Sequence, residues 1–341
     1  MAGETPSESW KKLVLRSMPA PAWLKVDAPE GDIVVSTRHR MARNLTGFHF
    51  PSHATSEDLR AVMQQIKSAA ERSPLKLNPM TRLTEAERDY LLGARMISPD
   101  FQHREPGRMA LLDEERVVSV MVNEEDHLRI QALTAGWSPE SADHAATEVL
   151  RNLTPYLKFM SHPGLGPLTA SPANLPGGER RSALFHLIGL GTIGKLPRML
   201  RSLSLMGLTT RGLYGESSRG VAAFIQVSST KASEADFKGA CVQLIREERM
   251  ARREVRRDQV LDKVAPAVDF AIASKEISLR DALLVIGYVR WAASIDLEGY
   301  RTEPRAADLW TATMEFFGTQ DPKVAARHRA DFLRTRLENL F

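Results

Sequence analysis

Val117-Val118-Ser119-Val120-Met121-Val122-Asn123-Glu124-Glu125-Asp126-His127-Leu128-Arg129 is the stretch from which the fold is read. Its first six residues are almost all β-branched or apolar, and they read as a buried strand. Met109-Ala110-Leu111-Leu112 is a second β-rich run, and Asp113-Glu114-Glu115-Arg116 between the two reads as a hairpin loop. Strands joined this way are antiparallel. The apolar run then gives way at once to Asn123-Glu124-Glu125-Asp126. Polar residues at a strand terminus are a common place for function. They also read as a charged turn into a helix, since acidic residues favour a helix start. Both readings stand on these residues alone.

Outward from there, the chain alternates strand and helix signals. Ile33-Val34-Val35 reads as a short strand, and Thr55 to Ser73 has helical spacing with Leu59, Val62, Met63 and Ile66 on one face. Thr84-Glu85-Ala86-Glu87 is a capping-box pattern, and Ser138-Pro139 opens another helix with proline at its first position. Ser182 to Leu190 and Gly220 to Ser228 read as strands. Ser233 caps a long helix whose buried stripe is Phe237, Cys241, Leu244 and Ile245. Beyond about residue 260 only helical patterns remain, including Leu279 to Ile295 and Thr311 to Phe317. Residues 1–30 read as an irregular arm with one short helix, punctuated by Pro19, Pro21 and Pro29.

Composition bounds the function. A chain of 341 residues supports a sizeable core and about two domains. The formal net charge of +4 suits an anionic ligand such as a nucleotide without demanding nucleic acid. Cys241 is the one cysteine, so no disulfide forms within the chain and a reducing cytoplasm is the expected location. No long uncharged apolar run spans a membrane, and the first residues lack the pattern of a secretory signal.

Three further clusters could carry chemistry. In Ser36-Thr37-Arg38-His39-Arg40-Met41-Ala42-Arg43-Asn44, Arg38 and Arg40 alternate, so an extended chain points both to one face. Paired guanidinium forks match phosphate oxygens; a solvated basic strand end is the plainer reading. Ser171-Pro172-Ala173-Asn174-Leu175-Pro176-Gly177-Gly178-Glu179-Arg180-Arg181-Ser182 joins a Gly/Pro-rich loop to a strand. Such a loop lets backbone N–H groups approach an anion, although many surface loops have this composition. Arg211-Gly212-Leu213-Tyr214-Gly215-Glu216 places a cation and a carboxylate around a loop, or is an ordinary turn. Together the clusters supply what phosphorylation of a guanidinium needs. Arginines neutralise the transferring phosphoryl group. Two carboxylates hold the planar acceptor, one of them accepting a proton as the N–P bond forms.

These same runs, Ser36 to Asn44, Val122 to Gln131 and Arg211 to Glu216, resemble the phosphagen kinases, and within them the bacterial branch that phosphorylates arginine side chains of proteins. The resemblance implies an α+β fold: an antiparallel sheet flanked by helices in a catalytic domain over residues 1–258, then a helical C-terminal domain over 259–341 that pairs subunits and regulates. It implies that Glu125 is the base and Glu216 the second carboxylate. The ATP site would comprise Ser36, Thr37, Arg38, His39, Arg40, Arg129, Arg180, Arg181, Ser182, Ala183, Leu184, Arg211, Gly212, Leu213, Tyr214 and Gly215. Arg95 stands where the family has a nucleotide-contacting histidine. Ser171 and Asn174 belong to a substrate loop that usually carries a cysteine at the first of these positions. Magnesium would sit mainly on nucleotide phosphates and water. The implied partners are unfolded arginine-containing proteins, an activator protein, an AAA+ protease and a second subunit, in bacterial protein quality control.

Other readings motivated by the same residues are a regulator that binds nucleotide or arginine without transfer, prompted by Ser171 and Pro176-Gly177-Gly178, and a kinase for a small guanidino metabolite. A nucleic-acid surface over Arg246 to Arg257 is disfavoured, because Glu247, Glu248 and Glu254 are interleaved as on a solvated helix face.

Overall fold

The hairpin read from Asp113 to Arg116 forms, and a second one follows it where the acidic run ends the apolar strand. A computed structural model describes Trp23 and residues 28–212, 221–229, 231–300 and 321–338. In it β3 (Met109–Leu112) pairs with β4 (Val118–Val122), and β4 pairs with β5 (Leu128–Ala135), both antiparallel. Asn123 to His127 is thus a hairpin turn and not an entry to a helix. Asn123 sits at φ 60° and its N–H donates to the His127 carbonyl at 3.0 Å, which closes the turn. Asparagine is among the few residues that take this left-handed conformation readily.

The strands build one antiparallel sheet of eight in the order β2-β3-β4-β5-β1-β8-β10-β9. Here β1 is Val34–Arg43, β2 Lys76–Pro79, β8 Glu179–His186, β9 Leu208–Gly212 and β10 Phe224–Ser229. A separate two-stranded ribbon joins β6 (Ser161–His162) and β7 (Gly166–Pro167). The strand expected at Ile33 to Val35 is longer than that reading, running ten residues through the arginine cluster. The strand expected at Ser182 to Leu190 begins and ends earlier, and Ile188–Thr192 is a short helix, α4. Two features stop the strand. Glu248 accepts hydrogen bonds from the Gly189 and Leu190 N–H groups at 2.8 and 2.9 Å. At Gly189 an added Cβ would lie 2.8 Å from the Arg252 nitrogen, so only glycine permits the approach. The strand read from Gly220 likewise starts at Phe224, after a 3-10 turn at Val221–Ala223. The N-terminal arm before residue 28, Trp23 apart, and Thr311 to Phe317 lie outside the described residues.

The helices are α1 (Ser56–Ala70), α2 (Glu85–Gly93), α3 (Pro139–Leu153), α5 (Leu196–Leu205), α6 (Glu234–Glu254), α7 (Arg257–Ala273), α8 (Leu279–Ser294) and α9 (Pro322–Leu337). Capping boxes at Thr55 and Thr84 start α1 and α2 as the sequence indicates. One sheet face carries Met41, Val120, Ile130 and Ala132 under Val62 and Ile66 of α1 and Ala146 and Val149 of α3. On the same face Ala183, Phe185, Ile225 and Val227 pack against Phe237, Cys241 and Leu244 of α6. The other face is covered only in part. Leu112, Met121 and Leu133 there meet Leu91, Met96 and Phe101, Leu184 and Phe224 extend that cluster, and the arginines of the central strands stand beside it. Val260, Val264, Ile286, Trp291 and Leu333 share a further apolar cluster among α7, α8 and α9.

A buried polar joint ties these layers. Glu248 is fully buried and pairs with Arg252 at 2.7 Å, and Arg252 also donates to the carbonyls of His186 and Asp32 and to Ser294 of α8. Removing one partner of such a pair leaves a buried charge unmet. Glu248→Ala is expected to destabilise the fold by about 3–5 kcal/mol, read as a lower midpoint in urea unfolding. It strands two backbone donors of α4 as well.

Candidate active site

Directly opposed residues of paired strands point to the same side of a sheet, and neighbours along a strand point to opposite sides. The register therefore decides which side chains share the open face. On β1, Arg38 opposes Ser182 of β8 and Leu133 of β5, while Arg40 opposes Arg180 and Gln131. Ala42 opposes Arg129. On β10, Gln226 opposes Leu184 of β8 and Arg211 of β9. Five arginines from four strands, Arg38, Arg40, Arg129, Arg180 and Arg211, thus stand on one face. They line a cavity of about 540 Å³ with Glu125, Ser171, Asn174 and Gly212.

Among the described residues Arg129 pairs with Glu124, and Arg38, Arg40, Arg180 and Arg211 have no acidic partner in an ion pair. Burial and then the neighbouring Arg129, Arg95 and Arg180 hold the Arg38 guanidinium well below its ordinary value. Burial, then Arg38, Arg129 and Arg180, does the same to Arg40. Arg180 is shifted down by burial and by Arg211 and Arg129, and its Nε is a buried donor with no partner among the described residues. Arg38 is oriented through Ser182 Oγ at 3.1 Å and Gln226 Oε1 at 3.3 Å, both neutral acceptors. A face that concentrates cations and leaves a donor unmet is built for a polyanion.

The acidic turn enters the cavity from its β4–β5 end. Its two glutamates have different surroundings. Glu124 is buried, is hydrogen-bonded by Arg129, by Ser98 Oγ at 2.6 Å and by the Glu125 N–H at 2.9 Å, and stays below the ordinary carboxylate value: burial alone would raise it, and Arg129 and the donors prevail. Glu125 is exposed in the cavity, and its carboxyl is raised by burial first, then by Asp126 and Glu124. Two adjacent carboxylates thus have their proton affinities pushed apart, one fixed as an anion and the other tuned upward as a base.

The turn is held rigidly. The Asn123 side chain donates to the carbonyls of Leu59 and Gly107, both at 2.8 Å. The His127 ring accepts from the Leu45 N–H at 3.0 Å through Nδ1, which leaves Nε2 to donate to the His49 carbonyl at 2.9 Å. Asp126 accepts from Asn44 at 2.6 Å and from the Ala170 N–H at 2.7 Å, binding the turn to the root of the loop that carries Ser171 and Asn174.

Of the other residues singled out in the sequence, Ser36, Ser182 and Leu184 lie on the arginine face by register but outside the cavity lining. Arg95 adjoins it: its carbonyl accepts from Gln131 at 2.7 Å and its guanidinium sits 5.3 Å from the centre of the Trp23 ring. Thr37, His39, Arg181 and Ala183 point to the opposite face. Thr37 bonds the Gly136 carbonyl at 2.6 Å, Ala183 is in the apolar core, and His39 and Arg181 meet Asp143. Leu213, Tyr214, Gly215 and Glu216 lie outside the described residues. Ser98 and Gln226 join the site without having been singled out in the sequence, and Glu124, read there only as part of the acidic run, gains a distinct place as the partner of Arg129. Gln226 had a signal: it and Ser228 alternate as the inner polar residues of an apolar strand. Among the described residues no group of three His, Cys, Asp or Glu side chains could hold a metal ion.

A sheet face that concentrates arginines beside a raised carboxylate suits phosphoryl transfer, and the catalytic-domain model of the ATP:guanido phosphotransferases matches residues 58–250. The chain belongs to that family. Among individual relatives, the protein-arginine kinase of Desulforamulus reducens is 32% identical over 291 residues, covering 80% of this chain and 82% of the relative. That of Halothermothrix orenii is 33% identical over 281 residues, covering 79% and 80%. Solved structures share the fold at lower identity. Lombricine kinase superimposes with a TM-score of 0.58 at 21% identity, over 74% of this chain and 79% of that one. The duplicated taurocyamine kinase of Schistosoma mansoni gives 0.59 at 23%, over 70% of this chain and 38% of that longer chain.

Proposed function

We propose that this chain is a protein-arginine kinase that transfers the γ-phosphoryl group of ATP to the guanidinium of arginine residues in proteins. The observation that carries the reading is the five-arginine face and the raised carboxylate of Glu125 lining one cavity. Arg38, Arg40, Arg129, Arg180 and Arg211 hold the triphosphate, and they stabilise charge as it develops on the transferred group. Magnesium, held by phosphate oxygens and water, supplies further neutralisation when bound. Glu125 takes a proton from the attacking guanidinium nitrogen as the N–P bond forms and the bond from the γ-phosphorus to the β–γ bridging oxygen breaks, releasing ADP. Glu216 is the second carboxylate of the acceptor, on the segment that follows Arg211 and Gly212 of β9. Ser171 and Asn174 form the wall facing the acceptor. Residues 1–258 make the catalytic unit and 259–341 a helical one, whose α7, α8 and α9 share an apolar cluster that also takes in Ile188 and Val255 of the first unit.

A protein acceptor is favoured over a free metabolite by the two relatives named for it, each matched over about four fifths of both chains. The test is an acceptor comparison. With ATP and magnesium, the pure protein is expected to give an N–P resonance in 31P NMR with an unfolded arginine-containing protein. Transfer to free arginine alone, with none to protein, would overturn the protein assignment.

A further inference from the structure

The residue between the two nucleotide-face arginines of β1 turns its back on them. His39 is 1% exposed on the opposite side of the sheet, where its ring stands between two carboxylates. Its Nδ1 lies 2.9 Å from Asp143 of α3, an ion-pair distance whose line is off that of a hydrogen bond, and its Nε2 is hydrogen-bonded at 3.3 Å to Glu179, the first residue of β8. We propose that His39 is a positioning residue for the transfer reaction, an imidazolium that clips the root of the 171–178 loop to the back of the nucleotide-binding strand. The proposal rests on the kinase reading of the front cavity.

A carboxylate oxygen can only accept, and a neutral imidazole has only one N–H to give. With a carboxylate facing each ring nitrogen, both contacts are satisfied only if the ring carries two protons. Both carboxyls stay ionised: Glu179 is held below its ordinary value first by the contact with His39, and Asp143 by His39 and Arg181 against the effect of burial. The surrounding charge agrees. Asp143, Glu179, Glu234 and Glu140 form one connected group with Arg43, Arg181 and Lys238. Four carboxylates face three cations, and a charged His39 is the fourth. Burial by itself would discharge the ring, and the contacts with Asp143 and Glu179 more than offset it, so its pKa stands above the ordinary histidine value.

What the clip holds is the end of the loop whose other residues face the acceptor. Glu179 follows Gly177 and Gly178 directly. Gly178 adopts φ +65°, its carbonyl accepts from the Ala42 N–H at 2.8 Å, and an added Cβ would stand 2.8 Å from the Ala42 carbonyl oxygen. Arg43 donates to the Gly177 carbonyl at 3.1 Å and pairs with Glu179 at 3.5 Å. On its front face, β1 presents Arg38 and Arg40 to the phosphates; on its back, His39 and Arg43 anchor the strand end from which Ser171 and Asn174 are hung. One strand thereby fixes donor and acceptor sites relative to each other.

Because the folded-state pKa is raised, the imidazolium is complete at low pH and is lost as pH rises through that value. Turnover in the wild type is then expected to fall on the alkaline side as the clip opens. His39→Gln, which cannot charge, should lower kcat roughly ten- to hundredfold through loop misplacement, leave the KM for ATP unchanged and abolish the alkaline limb. The ring is read directly in the wild type by 15N NMR of histidine-labelled protein, where both His39 nitrogens should be mostly protonated at pH 6.5, at which an ordinary histidine is half neutral. A neutral ring at that pH would overturn the proposal, as would wild-type kcat with an unaltered alkaline limb in His39→Gln. If that variant does not fold, the NMR result decides. A wild type without transfer at any pH would end the kinase reading and leave the charged clip to be judged on the NMR spectrum.

Discussion

Glu125→Gln is expected to lower kcat by about 10²–10⁴-fold, the range for removing a positioned general base, while ATP binds as in the wild type. The amide keeps the shape of the carboxyl and loses only its capacity to take a proton. Glu125 is exposed in the cavity and makes no ion pair with its arginines among the described residues, so nucleotide affinity is not expected to depend on it. The pH dependence follows from the environment. Burial, Asp126 and Glu124 raise the Glu125 carboxyl, and a base must be deprotonated to act. In the wild type kcat/KM is therefore expected to fall as pH drops through a value above the ordinary glutamate pKa of about 4.3. That limb should vanish in Glu125→Gln, leaving a low, pH-insensitive rate in acid. Steady-state kinetics across pH, with ATP affinity measured separately by calorimetry, check both parts.

The second large effect is expected at Arg180. Arg180→Ala should reduce kcat/KM by about 10³-fold or more, the scale of losing an arginine that stabilises a transferring phosphoryl group. ATP binding should weaken by about 1.5–3 kcal/mol, the worth of a hydrogen bond to a charged group. Its effect on the free protein runs the other way. Arg180 has a buried Nε without a partner among the described residues and is crowded by Arg211 and Arg129, so alanine removes an unmet donor and a repulsion. The melting temperature of the free variant should equal or exceed that of the wild type, and the rise that ATP produces should shrink. A free variant that melts well below the wild type would show that Arg180 holds the sheet together and is not held in reserve for a ligand.

Period-two alternation in Arg38 and Arg40 was legible from the sequence, and so were the capped helices at Thr55, Thr84 and Ser233, because both signals are local. The same alternation, carried one residue further, sends His39 to the back of the sheet. Reading Ser36 to Arg40 as one contiguous site overlooks that a strand has two faces. The arginine face itself depends on register. Arg180 meets Arg40 across 140 residues of chain, and Arg211 reaches the site only through Gln226 of β10; no local pattern encodes those pairings. The division of labour between Glu124 and Glu125 is equally hidden. It is set by the left-handed turn at Asn123 and by Ser98 and Arg129, which hold Glu124 from two other parts of the chain. The family resemblance compensated for this, since it brings the three-dimensional arrangement along with the motif. It placed Glu125, Arg129, Arg180 and Arg211 in one site, and the geometry has them around one cavity.

The central claim is that this cavity makes phosphoarginine on proteins through Glu125. Phosphosite mass spectrometry that preserves acid-labile phosphate, on an unfolded protein treated with ATP and either wild type or Glu125→Gln, tests it most directly. The expected result is phosphoarginine with the wild type and close to none with the variant. Phosphate confined to hydroxyl side chains, or phosphoarginine undiminished in the variant, would contradict it.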